Sequence, residues 1–254
     1  MAIDAEHGSE DDAFFRAIET HRVRGFVRVM RSLPSEPRCA ICRAPFGGVG
    51  GRVMRRVGFG PSRKNPRLCA ACFERTPIGG MRLDVGVLFA DVRGYTSMAE
   101  HRDPGDVAAL LNRFYDVAVA VLCRHAIIDK LVGDQVMALY LPQLLGENAA
   151  RHMVADAGEL LRAAPAELEL GVGLDYGNAF VGNVGSGEVK DFTAIGDVVN
   201  TASRLEAAAR SGEVVLSCRV RDLVGGEIAD APTRSLSLKG KSEAEEAVVL
   251  QITL

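Results

Sequence analysis

The stretch FTAIGDVVNTASRLE (residues 192–206) places an Asn and an Arg where both can meet one ligand. Asp197 is a predicted N-cap for a helix over residues 198–210. On that helix Asn200 and Arg204 are four residues apart, so their side chains project from one face. A carboxamide can orient a hydroxyl group and a guanidinium binds phosphate oxygens, so this pair suits a nucleotide. The alternative is an ordinary amphipathic surface helix whose Asn and Arg face water.

Two aspartates, Asp91 and Asp134, are candidate metal ligands. The first closes an apolar strand over residues 85–91, and the second lies in the Gly-Asp turn of a predicted hairpin. In a βαββαβ sheet the third strand lies beside the first and antiparallel to it, so this turn is next to the end of the first strand. Two carboxylates there, with the carbonyl oxygen of Val92 between them, suit a hard divalent cation such as Mg²⁺. The alternative is that both aspartates only cap turns, where Asp is common.

The elements that must position these residues follow from the hydrophobic pattern. Residues 81–254 alternate strands and helices, which predicts an α+β fold built on a βαββαβ unit with extra strands. Predicted strands are 85–91, 127–132, 136–141, 168–175, 179–184, 214–220, 235–238 and 247–252, and predicted helices are 104–125, 146–163 and 198–210. Upstream, the pattern over residues 12–33 predicts a helix that ends at Pro34. The predicted domains are a tail with this helix (1–37), a cysteine module (38–80) and a larger domain (81–254).

Four of the six cysteines form two CxxC pairs, Cys39/Cys42 and Cys69/Cys72. Four thiolates in two such pairs match a tetrahedral structural zinc site, so Zn²⁺ is the predicted metal. An iron–sulfur cluster and a redox dithiol are the alternatives. The loop between the pairs carries seven basic residues and no acidic one, which makes it a candidate surface for nucleic acid. Docking on an acidic domain, or simple solvation, is favoured because the loop has only two aromatic rings.

Charge and hydropathy exclude several classes of protein. The net charge is −3, but residues 1–82 carry 15 Lys/Arg against 8 Asp/Glu, and residues 83–254 carry 15 against 25. Two regions with different surfaces are therefore expected. The sequence has no run of about 18 apolar residues and begins with an acidic stretch, so we expect a soluble, cytoplasmic protein without a membrane partner. The motif GxxxxGK[ST] is missing, which disfavours a Walker-type NTPase.

Four segments together resemble the class III nucleotidyl cyclase catalytic domain. They are LFADVRGYT (88–96), DKLVGDQVMALY (129–140), LGVGLDYGNAFVGNVGS (170–186) and FTAIGDVVNTASRLE (192–206). The resemblance covers residues 83–254, with the segments in the family's order. It implies a ferredoxin-like core and an enzyme that makes cyclic AMP or cyclic GMP from the nucleoside triphosphate.

The resemblance also implies a role for each candidate residue. Asp91 and Asp134 match the aspartates that bind two Mg²⁺ or Mn²⁺ ions, Asn200 the residue that orients the ribose, and Arg204 the residue that stabilises the transition state. Lys130 and Thr193 match the pair that reads the base. Near the carboxyl end, Lys239 in SLKGK matches a lysine that contacts the β- and γ-phosphates.

Base choice and assembly follow from these matches. A Lys can donate to N1 of adenine and a Thr hydroxyl can accept from its N6 amino group, whereas guanine-specific relatives usually carry Glu and Cys there. We therefore expect an adenylate cyclase of intracellular signalling that converts ATP to 3′,5′-cyclic AMP and pyrophosphate. The alternatives are a guanylate cyclase, or a nucleic-acid-binding or nucleotide-sensing protein that uses the basic cysteine module. The family builds its active site between two cyclase domains, and one such domain is present, so we expect a homodimer with two equivalent sites.

Overall fold

The computed structural model describes residues 36–39, 42–62, 66–74, 78–186, 189–236 and 244–253. These residues belong to two compact units, one formed by the described residues up to Arg82 with those of Phe180–Ala194, and the other by Leu83–Ala179 with the described residues after Ala194. The helix predicted over 12–33 lies outside the described residues, and so does Lys239. The predicted division into three domains stays a prediction.

The helices and strands alternate along the described chain. The helices are α1 (Gly48–Arg56), α2 (Ala70–Glu74), α3 (Tyr95–Glu100), α4 (Pro104–Leu122), α5 (Pro142–Leu145), α6 (Ala149–Ala163), α7 (Asp197–Ala208) and α8 (Cys218–Val224). The strands are β1 (Gly79–Val92), β2 (Ile127–Val132), β3 (Gln135–Tyr140), β4 (Leu170–Ser186), β5 (Val189–Ile195), β6 (Glu213–Ser217), β7 (Thr233–Leu236) and β8 (Glu245–Gln251). No helix within these ranges is both long enough and apolar enough to cross a lipid bilayer.

The sheet has the strand order β2-β3-β1-β4-β6-β8-β7, and β5 pairs with β4. The first four strands of this order, with α4 before β2 and α6 before β4, form the predicted βαββαβ core. Three more strands, β6, β7 and β8, extend the sheet beyond β4. The predicted α+β class and ferredoxin-like core are therefore confirmed.

Different helices pack against the two faces of the sheet. Val214 and Leu216 of β6 belong to the main core, together with Phe114 of α4 and residues of α6. Val215, between them, packs in a separate cluster with Leu205 of α7. Successive side chains of a strand point to opposite faces, so α4 and α6 cover one face and α7 covers the other.

Local sequence signals explain two of the boundaries that frame the site. Asp103 caps α4 by accepting a hydrogen bond from the Gly105 backbone N–H at 2.8 Å, and Pro104 takes the first helical position. The turn between β2 and β3 contains Gly133 with φ of 59°. Glycine adopts this left-handed conformation without strain, which permits the tight predicted hairpin.

Several predicted boundaries are wrong, and three of them have a clear local cause. Strands predicted over 168–175 and 179–184 are one strand, because β4 pairs with β6 along one part and with β5 along another. The strand predicted to reach residue 220 ends at Ser217, whose hydroxyl accepts from the Val220 backbone N–H and begins α8. Asp197 is the first residue of α7 rather than its N-cap, which is Gly196.

Candidate active site

Asp91 and Asp134 come together at one end of β1. Strands β1 and β3 pair antiparallel with Asp91 opposite Gln135, and Asp134 directly precedes Gln135. The two carboxyl groups are close enough to form a hydrogen bond when one of them is protonated. The structure thus places the two side chains together, and their role as metal ligands stays a prediction.

The environment of Asp91 disfavours its charge. Burial, followed by the negative charge of Asp134, raises the pKa of Asp91 to about 6, although the Arg93 cation opposes this shift. Ionising both carboxyl groups therefore costs free energy that a cation bound between them would recover. Carboxylate oxygens are the hard donors that Mg²⁺ and Mn²⁺ prefer, so this pair fits a divalent metal of that kind.

A buried ion pair connects this site to α7. The guanidinium of Arg93 contacts the carboxylate of Glu206, and the same nitrogen, Nη2, lies 3.5 Å from Oδ2 of Asp91. The side-chain amide of Gln135 donates to Glu206 at 3.2 Å. Only 4% of the Glu206 side chain is exposed. Three acidic groups and one basic group therefore meet on the α7 side of the sheet.

Arg93 and Glu206 are not among the site residues predicted from the sequence. The available signal was the helical spacing of α7, where Glu206 follows Ala202 by one turn on the face that packs against the sheet. A carboxylate in a buried position needs a cationic or hydrogen-bonding partner, so this position predicts one.

Helix α7 leaves Asn200 and Arg204 outside its packed face. Its buried residues include Val198, Ala202 and Leu205, whereas Asn200 is exposed and Arg204 is partly exposed. Among the described residues, no side-chain hydrogen bond or ion pair engages either group. The predicted pair is therefore available for a ligand, one helical turn apart.

Gly173 determines how closely α7 approaches the sheet. A Cβ atom at this position of β4 would clash with the backbone nitrogen of Glu206 and with the carbonyl oxygen of Ala202. Only a residue without a side chain admits this contact between helix and strand backbones. The position of Glu206 relative to β4 is thus fixed by backbone packing.

The two residues predicted to read the base lie on different strands. Lys130 is exposed on β2 and lies 3.5 Å from the carboxylate of Asp129. Thr193 is partly buried on β5, and its hydroxyl donates weakly to the Ala194 carbonyl at 3.5 Å. Their joint role, like that of Lys239, stays a prediction.

The four paired cysteines form a second candidate site. Their sulfur atoms all lie within 4.8 Å of one another. The Cys69 backbone N–H donates to Sγ of Cys39, and the Cys72 N–H donates to Sγ of Cys69, both at 3.3 Å. The hydrogen bond from Cys42 lowers the pKa of Cys39, and the one with Cys39 raises the pKa of Cys72. Because four thiolates repel one another, all four can ionise together only around a cation, so the cluster is suited to bind a metal.

Comparison with known proteins identifies the family. The profile of the adenylate and guanylate cyclase catalytic domain matches residues 81–251. The chain belongs to this family. It contains a class III cyclase catalytic domain, and class III cyclases use Mg²⁺ or Mn²⁺ in catalysis.

The curated relatives of this cyclase are longer proteins. One uncharacterised protein of Mycobacterium tuberculosis is 34% identical over 194 residues, which are 72% of this chain and 35% of the relative. A second uncharacterised protein of that organism is 32% identical over 192 residues, or 74% of this chain and 31% of the relative. The cyclase chain therefore spans about a third of the length of these relatives.

Solved cyclase structures of both substrate types share the fold. The guanylyl cyclase Cya2 is 25% identical with a TM-score of 0.64, over 68% of this chain and 93% of that one. The adenylyl cyclase CyaB from P. aeruginosa is 27% identical with a TM-score of 0.61, over 68% of this chain and 96% of that one. These similarities establish the cyclase fold and leave the choice between ATP and GTP to the residues that contact the base.

Proposed function

We propose that this cyclase converts ATP to 3′,5′-cyclic AMP and pyrophosphate for intracellular signalling. The observation that carries the proposal is the adjacent pair Asp91 and Asp134 in a cyclase domain whose α7 presents Asn200 and Arg204 without partners among the described residues. These groups supply metal ligands, a ribose contact and a phosphate contact. The reaction joins the ribose 3′-oxygen to the α-phosphorus and breaks the bond from that phosphorus to the oxygen it shares with the β-phosphate.

Two Mg²⁺ or Mn²⁺ ions would be held by Asp91, Asp134 and the backbone carbonyl of Val92. When bound, such ions lower the pKa of the attacking hydroxyl and neutralise charge on the triphosphate. Asn200 orients the ribose through its carboxamide. The Arg204 guanidinium donates hydrogen bonds to the α-phosphate oxygens as negative charge grows there, a role worth about 3 kcal/mol of transition-state stabilisation.

ATP is the proposed substrate because of Lys130 and Thr193. The Lys130 ammonium would donate to N1 of adenine, and the Thr193 hydroxyl would accept from the N6 amino group. Guanine presents an N1–H donor and an O6 acceptor at these positions, which reverses both requirements. The double variant Lys130→Glu/Thr193→Cys should shift the ratio of kcat/KM for ATP to that for GTP toward GTP. An unchanged ratio would contradict this assignment of the base-reading residues.

We propose a homodimer in which Asp91 and Asp134 of one protomer act with Asn200 and Arg204 of the other. The test mixes two inactive variants, Asp91→Ala and Arg204→Ala. Random exchange of subunits makes half of the dimers mixed, and each mixed dimer has one intact site of two, so activity should return to about a quarter of the wild-type value. If the variants exchange subunits and the mixture stays inactive, the shared site is wrong.

The cysteine cluster is proposed to hold structural Zn²⁺ rather than an iron–sulfur cluster. Four thiolates within bonding reach of one ion match the tetrahedral geometry of zinc. Cysteines that bind zinc must stay reduced, as they do in the cytoplasm, so a cytoplasmic location is proposed with the zinc site. Elemental analysis of the purified chain should give one zinc per chain, and iron with acid-labile sulfide would contradict the proposal.

Nucleic-acid binding by the cysteine module is a second candidate function. It is favoured by three exposed arginines on α1, Arg52, Arg55 and Arg56. A surface of this kind binds phosphate backbones with an affinity that falls steeply as salt is added. The test measures binding of the full chain to labelled single-stranded and double-stranded DNA between about 50 and 200 mM salt. Loss of binding in the Arg52→Ser/Arg56→Ser variant would support this function, and no binding by the wild type would exclude it.

A further inference from the structure

Arg93 lies on the same side of the sheet as the metal-binding carboxylates. Leu88, Ala90 and Val92 belong to the main core that α4 and α6 cover. Because side chains alternate along a strand, Asp91 faces the opposite side, which is the side of α7. Arg93, one residue beyond β1, reaches the same side, since it contacts Glu206 of α7. The guanidinium interacts electrostatically with both Asp91 and Asp134. A permanent cation therefore lies beside the two carboxylates that are proposed to bind metal.

This cation is a potential competitor of the metal. An Arg guanidinium stays protonated at any physiological pH and forms two-pronged hydrogen bonds with carboxylates. If it paired fully with Asp91, it would occupy the oxygens that a divalent cation needs. Nη2 of Arg93 already lies 3.5 Å from Oδ2 of Asp91, so the site binds metal well only if another anion keeps the guanidinium from pairing fully with Asp91.

Glu206 provides that restraint. Its carboxylate contacts the Arg93 guanidinium directly and also accepts a hydrogen bond from Gln135 at 3.2 Å. Gly171 leaves room for the Arg93 side chain, since a Cβ there would lie 2.8 Å from Nε of Arg93. The Arg93 backbone N–H is tied to the Glu169 carbonyl at 2.7 Å. The ion pair therefore has a fixed position, set by β4 on one side and α7 on the other.

We propose that Glu206 is a positioning residue for metal binding, which acts by pairing with Arg93 and so keeping its guanidinium from pairing fully with Asp91. With Glu206 ionised, the net charge of the three carboxylates and the Arg93 guanidinium is −2. Neutralising Glu206 would leave a net charge of −1 and would free the guanidinium to turn further toward Asp91. The inference rests on the proposed role of the two aspartates. It also makes the metal half of the site depend on α7, the helix that carries Asn200 and Arg204.

The test compares Mn²⁺ binding by wild type and Glu206→Gln, using the electron paramagnetic resonance signal of free Mn²⁺ and no nucleotide. Groups that orient metal ligands typically change metal affinity by about 10–100-fold, so the variant should bind Mn²⁺ that much more weakly. The Mn²⁺ concentration for half-maximal cyclase activity should rise by a similar factor, while kcat at saturating Mn²⁺ should stay close to the wild-type value. A merely structural role would instead lower kcat at every metal concentration.

A second variant isolates the cause. In Arg93→Met/Glu206→Gln the competing cation is gone, so Mn²⁺ affinity should return to the wild-type value or exceed it. The matched control is Glu213→Gln, which neutralises another buried carboxylate paired with an arginine, Arg234, on strands away from the metal ligands. This control should leave Mn²⁺ affinity unchanged.

Several outcomes would overturn the inference. Wild-type Mn²⁺ affinity in Glu206→Gln would do so, and so would weak binding that persists in the double variant. If Glu206→Gln does not fold by circular dichroism, the double variant decides alone, because it buries neither charge. Failure of the proposed function looks different: Asp91→Asn would then bind Mn²⁺ as tightly as the wild type, whatever Glu206→Gln does.

Discussion

Replacing Asp91 with Asn should stabilise the protein in the absence of divalent metal while abolishing cyclase activity. The reason is the crowding of Asp91 against Asp134 in a partly buried position. The pKa of Asp91 rises from 3.8 to about 6. At about 1.4 kcal/mol per pKa unit, this shift corresponds to about 3 kcal/mol against the ionised form in the folded state. The side chain is 25% exposed, and solvent screening reduces the expected effect to about 1–2 kcal/mol.

The pH dependence has a definite sign. A carboxyl group with a raised folded-state pKa binds its proton more tightly in the folded protein, so ionisation destabilises the fold. Below the unfolded pKa of 3.8 this penalty is missing, between pH 3.8 and about 6 it grows, and above that it is constant. The stability difference between Asp91→Asn and wild type should therefore be near zero at pH 4 and about 1–2 kcal/mol at pH 8.

Urea denaturation at both pH values, in buffers free of Mg²⁺ and Mn²⁺, measures this difference. Chelators are avoided because they would also remove the Zn²⁺ that is proposed to bind the cysteine cluster. The control is Asp84→Asn, an exposed carboxylate on the same strand, for which a change of less than about 0.5 kcal/mol is expected. Equal stability of Asp91→Asn and wild type at pH 8, or a gain of the same size at pH 4, would refute the electrostatic reasoning.

Four further outcomes are expected. Arg204→Ala should lower kcat by about 100-fold or more at unchanged thermal stability, measured by product formation and calorimetry, because Arg204 supports only the reaction. Gly173→Ala should cost about 3 kcal/mol in urea unfolding, since its Cβ would clash with the backbone of α7. Cys72→Ser should lose the bound zinc in elemental analysis. Arg93→Met alone should cost about 3–5 kcal/mol in urea unfolding, because it leaves the Glu206 charge buried without its partner; a cost below about 1 kcal/mol would mean that the pair is dispensable for folding.

The core of the fold could be predicted because its signals are local. Asp103 and Pro104 mark the start of α4, and the Gly133 turn marks the hairpin that brings Asp134 beside Asp91. The pairing of β3 with β1 then follows from topology. The sequence alone therefore predicts that two aspartates 43 positions apart lie together.

Other features depend on tertiary contacts that no local pattern encodes. The segment from Val214 to Val220 is compatible with one strand, and only the hydroxyl of Ser217 converts its end into α8. The partner of Glu206 is Arg93, on a different element and more than a hundred residues earlier, so sequence could predict that a partner exists but not which one.

The Arg93–Glu206 pair is hard to explain by stability alone. Replacing a buried ion pair with well-packed apolar side chains is often neutral or stabilising, so folding does not require charges at these positions. Asp91 and Asp134 likewise cost stability when both are ionised, because like charges are held together in a partly buried place. These two unfavourable features are adjacent, and a single function accounts for both. A site proposed to give its carboxylate oxygens to a divalent cation needs carboxylates that are poorly satisfied by the protein, and it needs the nearest arginine to be paired mainly with another anion. Glu206 meets the second need, which is why the ion pair lies directly beside the carboxylates rather than elsewhere in the sheet.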